Sequence, residues 1–563
     1  MTLVRSIGQV SARILDTDEI NELPWAGWHA LGKHREKHYM AYYRDLHEWL
    51  DLLDSRGFLR RIDSPIDKDT EMHPLVRLQF RGQKEADRKA WLFENVVDLK
   101  GNKYDIPVAL SVMAPNRAVY ALGMGVASAG EIPDKWTHAQ THPIPPRTVS
   151  SGPCQELVFE GQALLDAGGV GMLPVPISTP GFDSAPFLSS GHWITKDPQT
   201  GDFNIGTYRG QIKSPTRIGC FAVPYQDISV HWSKAKALGK PLEAAIVIGC
   251  APNVSYVSTT RLEREYWVAG GIAGEPVDVV QCRTVDVLVP AHSEIVIEGI
   301  IPTDEFEPEG PFGEFTGYMA SRETDKFLDV TCITRKRNAI YQAFLSQFPP
   351  SESSVLRGVG QEGKLFKLLT VDHGMKGILE VALPEAAGGH GVCVIRMDTS
   401  FGEDPMKALK IITTLPRDHP KIIIAVDKDV DPRDADSVNW AMSFSMQPHR
   451  AAQIREVVSV ALDFSLAPPQ SRSEASAMKG SSILIDATRK WSFPPTSLPR
   501  KEFMEKARSL WQRLGLPEIQ LKVPWYGYDL GYWTQEDAED AERALRGEHY
   551  VTGELRKAKR TRV

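Results

Sequence analysis

The chain is poor in cysteine, with six in 563 residues (Cys154, Cys220, Cys250, Cys282, Cys332 and Cys393), and no two of them form a C-x-x-C pair. That scatter argues against a cysteine-based metal site, because tetrahedral zinc sites favour paired spacings, and it predicts reduced thiols in a cytoplasmic setting. No apolar run is long enough to cross a bilayer, and residues 1–20, MTLVRSIGQVSARILDTDEI, lack the apolar core of a secretory signal. Positive charge is not in excess. A net charge of -7 and a pI near 6.1 argue against a general nucleic-acid binder. Low-complexity tracts and internal repeats are missing as well. What is left is an ordinary globular composition, 42% hydrophobic and 24% charged, in a chain too long for a single core. Two or three domains are expected.

Residues 1–40 read as an irregular N-terminal arm, with Pro24 and several Gly and His. Over 40–61, Tyr42, Leu46, Trp49, Leu50 and Leu53 recur at helical spacing and Gly57 follows as a stop. Alternation at 106–113 (IPVALSVM) completes an N-terminal α/β region over 41–115. The stretch 116–345 is dense in strand candidates (190–195, 219–223, 244–249, 277–290), with one helix expected at 229–238 before Gly239. This predicts a β-barrel or an open sheet closed by helices. KLFKLLTV (364–371) reads as a connecting helix in a linker spanning 346–375. A strand (391–397), a helix (404–415), a buried strand (421–429) and a second helix (435–446) then alternate, predicting a separate α/β domain over 376–495. Residues 496–563 hold a helix at 499–513 and a charged tail expected to be solvated, ending in the basic ELRKAKRTRV. The fold class is therefore mixed, α+β and α/β, and multidomain.

Chemistry concentrates in FEPEGPFGEFTGY (306–318), where Glu309 and Glu314 bracket Gly310-Pro311-Phe312-Gly313. Gly and Pro at this density exclude a regular helix, and a sharp turn can aim both carboxylates into one space. Two close carboxylates do not both ionise easily, so one carboxyl is expected to hold its proton to higher pH and act as a general acid. The plainer alternative is a solvated surface turn. A second segment, GHWITKDPQTGDFNIGTYR (191–209), carries a hairpin pattern with Asn204 and Arg209 on its exit strand, and Arg is a natural fork for a carboxylate. By themselves an Asn and an Arg on a strand are ordinary structural residues. So are the lone His231 in DISVHWSKA and Glu265 in RLEREYWVAGG. Nothing in their spacing groups Asn204, His231 and Glu265, although amide, imidazole and carboxylate together would suit Mn²⁺ or Mg²⁺.

These segments resemble the UbiD family of decarboxylases. EGPFGEFTGY (309–318) is close to that family's E-G-P-F-G-E-x-x-G-Y, and 191–209 is similar to its hairpin ending in N-x-x-x-x-R. The runs 269–301, 422–432, 440–442 and 466–491 resemble further family segments in the same order. The resemblance implies a central split-barrel, flavin-reductase-like cofactor domain, a connecting helix and a C-terminal α/β domain through which homo-oligomers, dimers or hexamers, assemble. It implies prenylated FMN as cofactor, supplied by a flavin prenyltransferase, with Mn²⁺ (or Mg²⁺) on its phosphate and K⁺ often beside it. It makes Arg209, Glu309 and Glu314 the catalytic set and Asn204, His231 and Glu265 the metal ligands. Ser189 and Ser255 fall where family members contact the cofactor. The implied reaction is non-oxidative, reversible decarboxylation of an aromatic or α,β-unsaturated acid through a covalent adduct with the flavin, with Glu314 as proton donor.

Three positions depart from the family pattern: Val230, where some relatives carry a polar cofactor contact; Ser258, where proline is common; and Ser482, where a lysine is usual. Lys479 is the nearest substitute for that lysine. Two other readings stay open from the sequence: an FMN-dependent oxidoreductase, and a non-catalytic subunit of a multi-component (de)carboxylase. The substrate is not in the motifs. A free aryl acid and an aryl-CoA thioester are both compatible, and segment 77–88 is similar to phthaloyl-CoA decarboxylases.

Overall fold

The computed structural model describes residues 42–415, 419–458, 462–466 and 479–561, so the arm expected at 1–40 and most of the segment 466–478 lie outside the described residues. The helical spacing that begins the described chain produces a helix at Leu46–Ser55, shorter than the 40–61 stretch. Asp45 caps it by accepting from the Glu48 N–H, and Leu46, Trp49, Leu50 and Leu53 form its buried face. Gly57, at φ +71°, ends it as expected and turns the chain into strand Leu59–Ile62. That strand joins Ala90–Phe93, Val108–Leu110 and Tyr341–Ala343 in a four-stranded sheet, so a strand from the far end of the central region completes the N-terminal one.

The centre is a nine-stranded sheet whose described pairings are all antiparallel. Its path runs from Phe203–Thr207 at one edge, through His192–Lys196, Leu242–Ile248, Ile295–Ile301, Phe327–Arg335 and Arg217–Cys220, to Gly210–Ser214 and Phe187–Leu188 at the other, and the ninth strand, Leu157–Glu160, pairs with Phe327–Arg335 off this path. The two edges do not pair among the described residues. Yet the chain passes from Thr207 to Gly210 through Tyr208 and Arg209 alone. Three Cα steps span at most about 11 Å, so the sheet must curl until its edges nearly meet. The result is a curled half-barrel, not a closed barrel, and Arg209 sits at the seam. Helices Pro252–Ser258 and Glu265–Ala273, which the strand-dense reading of this region did not foresee, pack against each other beside the first edge strand. The helix expected at 229–238 is Asp227–Ala237.

The connecting segment is not a linker in any mechanical sense. Helix Glu352–Lys367, opened by a capping box between Ser351 and Ser354, buries most of its length and packs on helix Ile132–Thr141. Glu352 accepts from the N–H groups of Met113 (2.8 Å) and Leu345 (3.1 Å). Glu362 pairs with Arg117 (2.8 Å) and Arg433 (2.9 Å), tying the helix to the chain before and after it. Beyond it, a five-stranded sheet orders Ile378–Ala382, Val392–Met397, Ile422–Asp427, Lys479–Asp486 and Ala452–Val458, with the inner pairings parallel and both edge pairings antiparallel. The charged end is not structureless: after Lys501–Arg513 it forms helices Gln535–Leu545 and His549–Lys557, joined by Arg556 on Asp540. Among the described residues no helix is long and apolar enough to cross a membrane.

Candidate active site

The turn 309–318 folds as its composition demands. Strand Glu307–Glu309 pairs with Glu323–Asp325, and Phe312–Gly313 pairs with Met319–Ala320. Gly310 lies at φ +88° between them, a conformation that favours glycine. A Cβ on Gly313 would stand 2.5 Å from the Gln347 side chain, so only glycine lets the turn close there. Folded this way, the turn sends both carboxylates to Arg209 at the seam. Its Nε and Nη2 make a bidentate pair with Glu309, at 2.9 and 2.5 Å, and its Nη1 bonds Glu314. The guanidinium carbon stands 4.3 Å from the Phe221 ring centroid and 5.7 Å from that of Phe312.

The three side chains are 7% (Arg209), 0% (Glu309) and 12% (Glu314) exposed. Burial opposes charge on Arg209, but Glu314 and Glu309 outweigh it and hold the guanidinium above its ordinary value, hence cationic. Burial raises the Glu309 carboxyl despite the pull of Arg209, and the charge of Glu314 adds to the rise. One cation between two carboxylates leaves the cluster able to keep one proton. Glu314 lines a cavity of about 330 Å³, whereas Glu309 is not among its lining residues. The cluster therefore has a sealed side and an open side.

The same cavity is lined by the aromatic rings of Phe221, Phe312, Phe315 and Phe344 and, at its polar end, by Asn204, Asp227 and Glu265. Asn204 lies on the edge strand Phe203–Thr207, and Asp227 and Glu265 each begin a helix. The Asn204 Nδ2 donates to Asp227 Oδ2 (3.3 Å) and Glu265 Oε1 (3.4 Å), while its Oδ1 is buried with no hydrogen-bond partner. Burial, with Asp227 adding, pushes the Glu265 carboxyl up to about 8. An orphaned amide oxygen beside two carboxylates is a donor set that fits a divalent cation.

The structure thus brings together Arg209, Glu309 and Glu314, and separately Asn204 and Glu265, as expected. His231 is not among the residues lining that cavity. It lies one helical turn after Asp227, and its Nδ1 is 2.8 Å from Thr195 Oγ1 and its Nε2 3.8 Å from Asp197 Oδ2. Ser189 lines the cavity while its Oγ accepts from the Phe344 N–H. Ser255 does not line it: its hydroxyl is 3.1 Å from His192 Nε2, and Ser258 lines the wall instead, bonded to Thr207 and His192. Lys479 stands apart from the cavity residues in this structure. Its side chain is 71% exposed on the C-terminal sheet, paired with Glu456 at 2.5 Å, and is not among the cavity residues. Arg261 and Arg357 are, and so is Asp227. Sequence reasoning passed over all three, although Asp227 shares a helical face with His231.

Asp183 was also missed. Its carboxylate accepts from the N–H groups of Thr179 (2.6 Å) and Gly313 (3.3 Å), and the Ser184 N–H bonds the Pro311 carbonyl, so this loop clamps the glutamate turn. Burial pushes Asp183 up to about 6.

Comparison with known proteins agrees with this geometry. Three family models match in order: the N-terminal domain of 3-octaprenyl-4-hydroxybenzoate carboxy-lyase over residues 50–136, its Rift-related domain over 147–348 and its C-terminal domain over 354–487. An uncharacterized protein of Synechocystis sp. is 30% identical over 527 residues, covering 86% of this chain and all of that one. The UbiD-class enzyme HmfF of Pelotomaculum thermopropionicum, solved with FMN, is 28% identical with a TM-score of 0.69, covering 80% of this chain and 95% of HmfF. Vanillic acid decarboxylase of Sedimentibacter hydroxybenzoicus in closed form is 27% identical with a TM-score of 0.71, covering 84% of this chain and 99% of that one. With all three family domains present in order around a buried Arg-Glu-Glu cluster, the chain belongs to the UbiD family of carboxy-lyases.

Proposed function

We propose that the chain removes carbon dioxide, without net oxidation, from an aromatic or α,β-unsaturated carboxylic acid, using prenylated FMN bound in the curled sheet as in a split-barrel flavin domain. The observation that carries this reading is Arg209 clamped between sealed Glu309 and cavity-facing Glu314. When bound, the prenylated flavin supplies the electron sink that amino-acid side chains lack. The remaining work falls to the chain. Arg209 orients the substrate carboxylate and keeps Glu314 aimed at the cavity. Glu314 delivers a proton to the carbon that carbon dioxide leaves, and Glu309 retains a proton behind it to recharge the pair. Asn204 and Glu265 would hold a divalent cation, Mn²⁺ or Mg²⁺, which would offset the negative charge of a bound phosphate, and Arg261, which also lines the cavity, would take the part expected of Lys479. A second cavity of about 580 Å³ shares Phe315 and His390 with the first and offers room for bulk beyond the reacting acid.

Co-expression with a flavin prenyltransferase, followed by mass analysis of the released cofactor and a panel of aryl acids and their CoA esters, tests the reading. Glu314→Gln should retain the cofactor and lose both turnover and substrate hydrogen exchange with deuterated water. Undiminished exchange in that variant would remove Glu314 from the mechanism.

A further inference from the structure

The segment 77–88 places Arg77 and Arg81 one turn apart on helix Met72–Gly82, and the reaction proposed for the cavity uses neither. Both reach the loop 346–350 (SQFPP), which joins strand Tyr341–Ala343 to helix Glu352–Lys367. Arg77 Nη1 donates to the carbonyls of Phe348 (2.7 Å) and Pro350 (3.2 Å), and its Nη2 donates to the Ser346 carbonyl and to Gln347 Oε1 (3.3 Å). Arg81 adds the Pro349 carbonyl (3.3 Å) and lies over the Phe348 ring. Among the described residues every hydrogen bond of the Arg77 side chain goes to this loop, and none to a carboxylate. Burial, with Arg81 adding, draws its guanidinium down to about 10, so it stays cationic at neutral pH. Carbonyls that turn away from any strand still need donors, and the planar fork of one arginine meets three of them and the Gln347 amide.

The same loop packs on the glutamate turn. Gln347 is buried and held at φ +68°, a conformation that side chains rarely adopt. Its Cγ fills the space that a Cβ on Gly313 would need, at 2.5 Å, and the Phe348 ring and Pro349 crowd Gly317 in the same way, at 3.1 and 3.4 Å. Gly313 and Gly317 flank Glu314, whose N–H bonds the Tyr318 carbonyl (2.9 Å). We propose that Arg77 is a positioning residue for the decarboxylation: by pinning the carbonyls of 346–350 it seats Gln347 and Phe348 against the glycines on either side of Glu314 and so fixes where that carboxyl points. Lysine is no substitute, because its ammonium donates from one atom and lacks the reach of the fork. The inference rests on the proposed function for the role of Glu314, while the clamp itself follows from the geometry alone.

Two measurements on the full-length protein test it together: amide hydrogen–deuterium exchange read by mass spectrometry, and steady-state kinetics of the cofactor-loaded enzyme. In Arg77→Lys the amides of 309–318 should exchange about tenfold faster or more, while those of the C-terminal sheet keep their protection. Its kcat should fall about tenfold with KM within about twofold. Gln347→Ala should give a similar loss of kcat, and the double variant should be no worse than either single one, because both cut the same line of contact. Unchanged exchange at 309–318, a loss confined to KM, or losses that multiply in the double variant would overturn the proposal. Should Arg77→Lys fail to fold, Gln347→Ala decides by the same two readings. The exchange reading needs no turnover. A chain that decarboxylates nothing yet loosens 309–318 on losing Arg77 would sink the proposed function and leave the clamp. Turnover with 309–318 unmoved in Arg77→Lys would do the reverse.

Discussion

Glu362 and Glu265 are both buried, both on helices, and their carboxyls are displaced in opposite directions. Burial opposes ionisation in each. At Glu362, Arg117 and Arg433 overcome it and draw the carboxyl down to about 2. At Glu265, Asp227 adds its own negative charge and the carboxyl rises to about 8. Residue type and burial are matched, so the difference lies in whether the fold supplies its own cations. Where the chain only holds itself together, as Glu362 does between helix and flanking segments, the counter-charge is built in. At Glu265, which lines the cavity, no ion pair among the described residues supplies one.

Glu362→Gln attacks the balanced side of this comparison and should have the largest effect. It takes the Glu362 carboxylate from Arg117 and leaves Arg433 with Glu380 alone, and removing one member of a buried ion network costs about 3–5 kcal/mol. Denaturant unfolding at neutral pH reads it. The pH dependence of the unsubstituted protein probes the same group. Its folded carboxyl sits near 2 against an ordinary 4.5, so the unfolded chain binds more protons between those values. The stabilisation is complete above pH 4.5 and is lost as pH falls towards 2, by roughly 3 kcal/mol. Acid unfolding of Glu362→Gln should be flatter over that interval. Glu265→Gln should behave differently. Without cation the Glu265 carboxyl already holds a proton at neutral pH, so the substitution should change stability by less than about 1 kcal/mol. Mn²⁺ should raise the unfolding midpoint of the unsubstituted protein and leave that of Glu265→Gln unchanged. A loss as large as that of Glu362→Gln would erase the contrast.

The glutamate turn was legible in the sequence because Glu309 and Glu314 lie close along the chain and the Gly-Pro content between them restricts its shape. The cluster of Asn204, Asp227 and Glu265 was not. Asn204, Asp227 and Glu265 come from an edge strand and two helix starts, and meet only when the sheet curls. Within the helix, spacing marks Asp227 and His231 as equivalent, and only the position of the hairpin at Thr195 and Asp197 separates them. The fold divides likewise. Local periodicity yields most strands and helices after residue 350, but the pairing of Val108–Leu110 with Tyr341–Ala343 has no local signal. The helices at Gln535–Leu545 and His549–Lys557 were missed because they bury no residues and are held by surface ion pairs in place of an apolar stripe.

Asp183 falls between the two glutamates and sharpens what separates them. Its carboxyl is raised by burial to about 6, checked by the backbone N–H groups of Thr179 and Gly313 and by the charge of Arg209. Peptide dipoles thus do part of what arginines do for Glu362. Because Gly313 immediately precedes Glu314, the Asp183 carboxylate fixes where Glu314 begins. Asp183→Asn keeps the shape but leaves one oxygen to accept two divergent N–H groups. It should cost about 1 kcal/mol of stability and, by loosening Glu314 in place, lower kcat by about tenfold with KM little changed. A variant that lost substrate affinity and kept its kcat would show that the Asp183 loop shapes the cavity wall and does not position the proton donor.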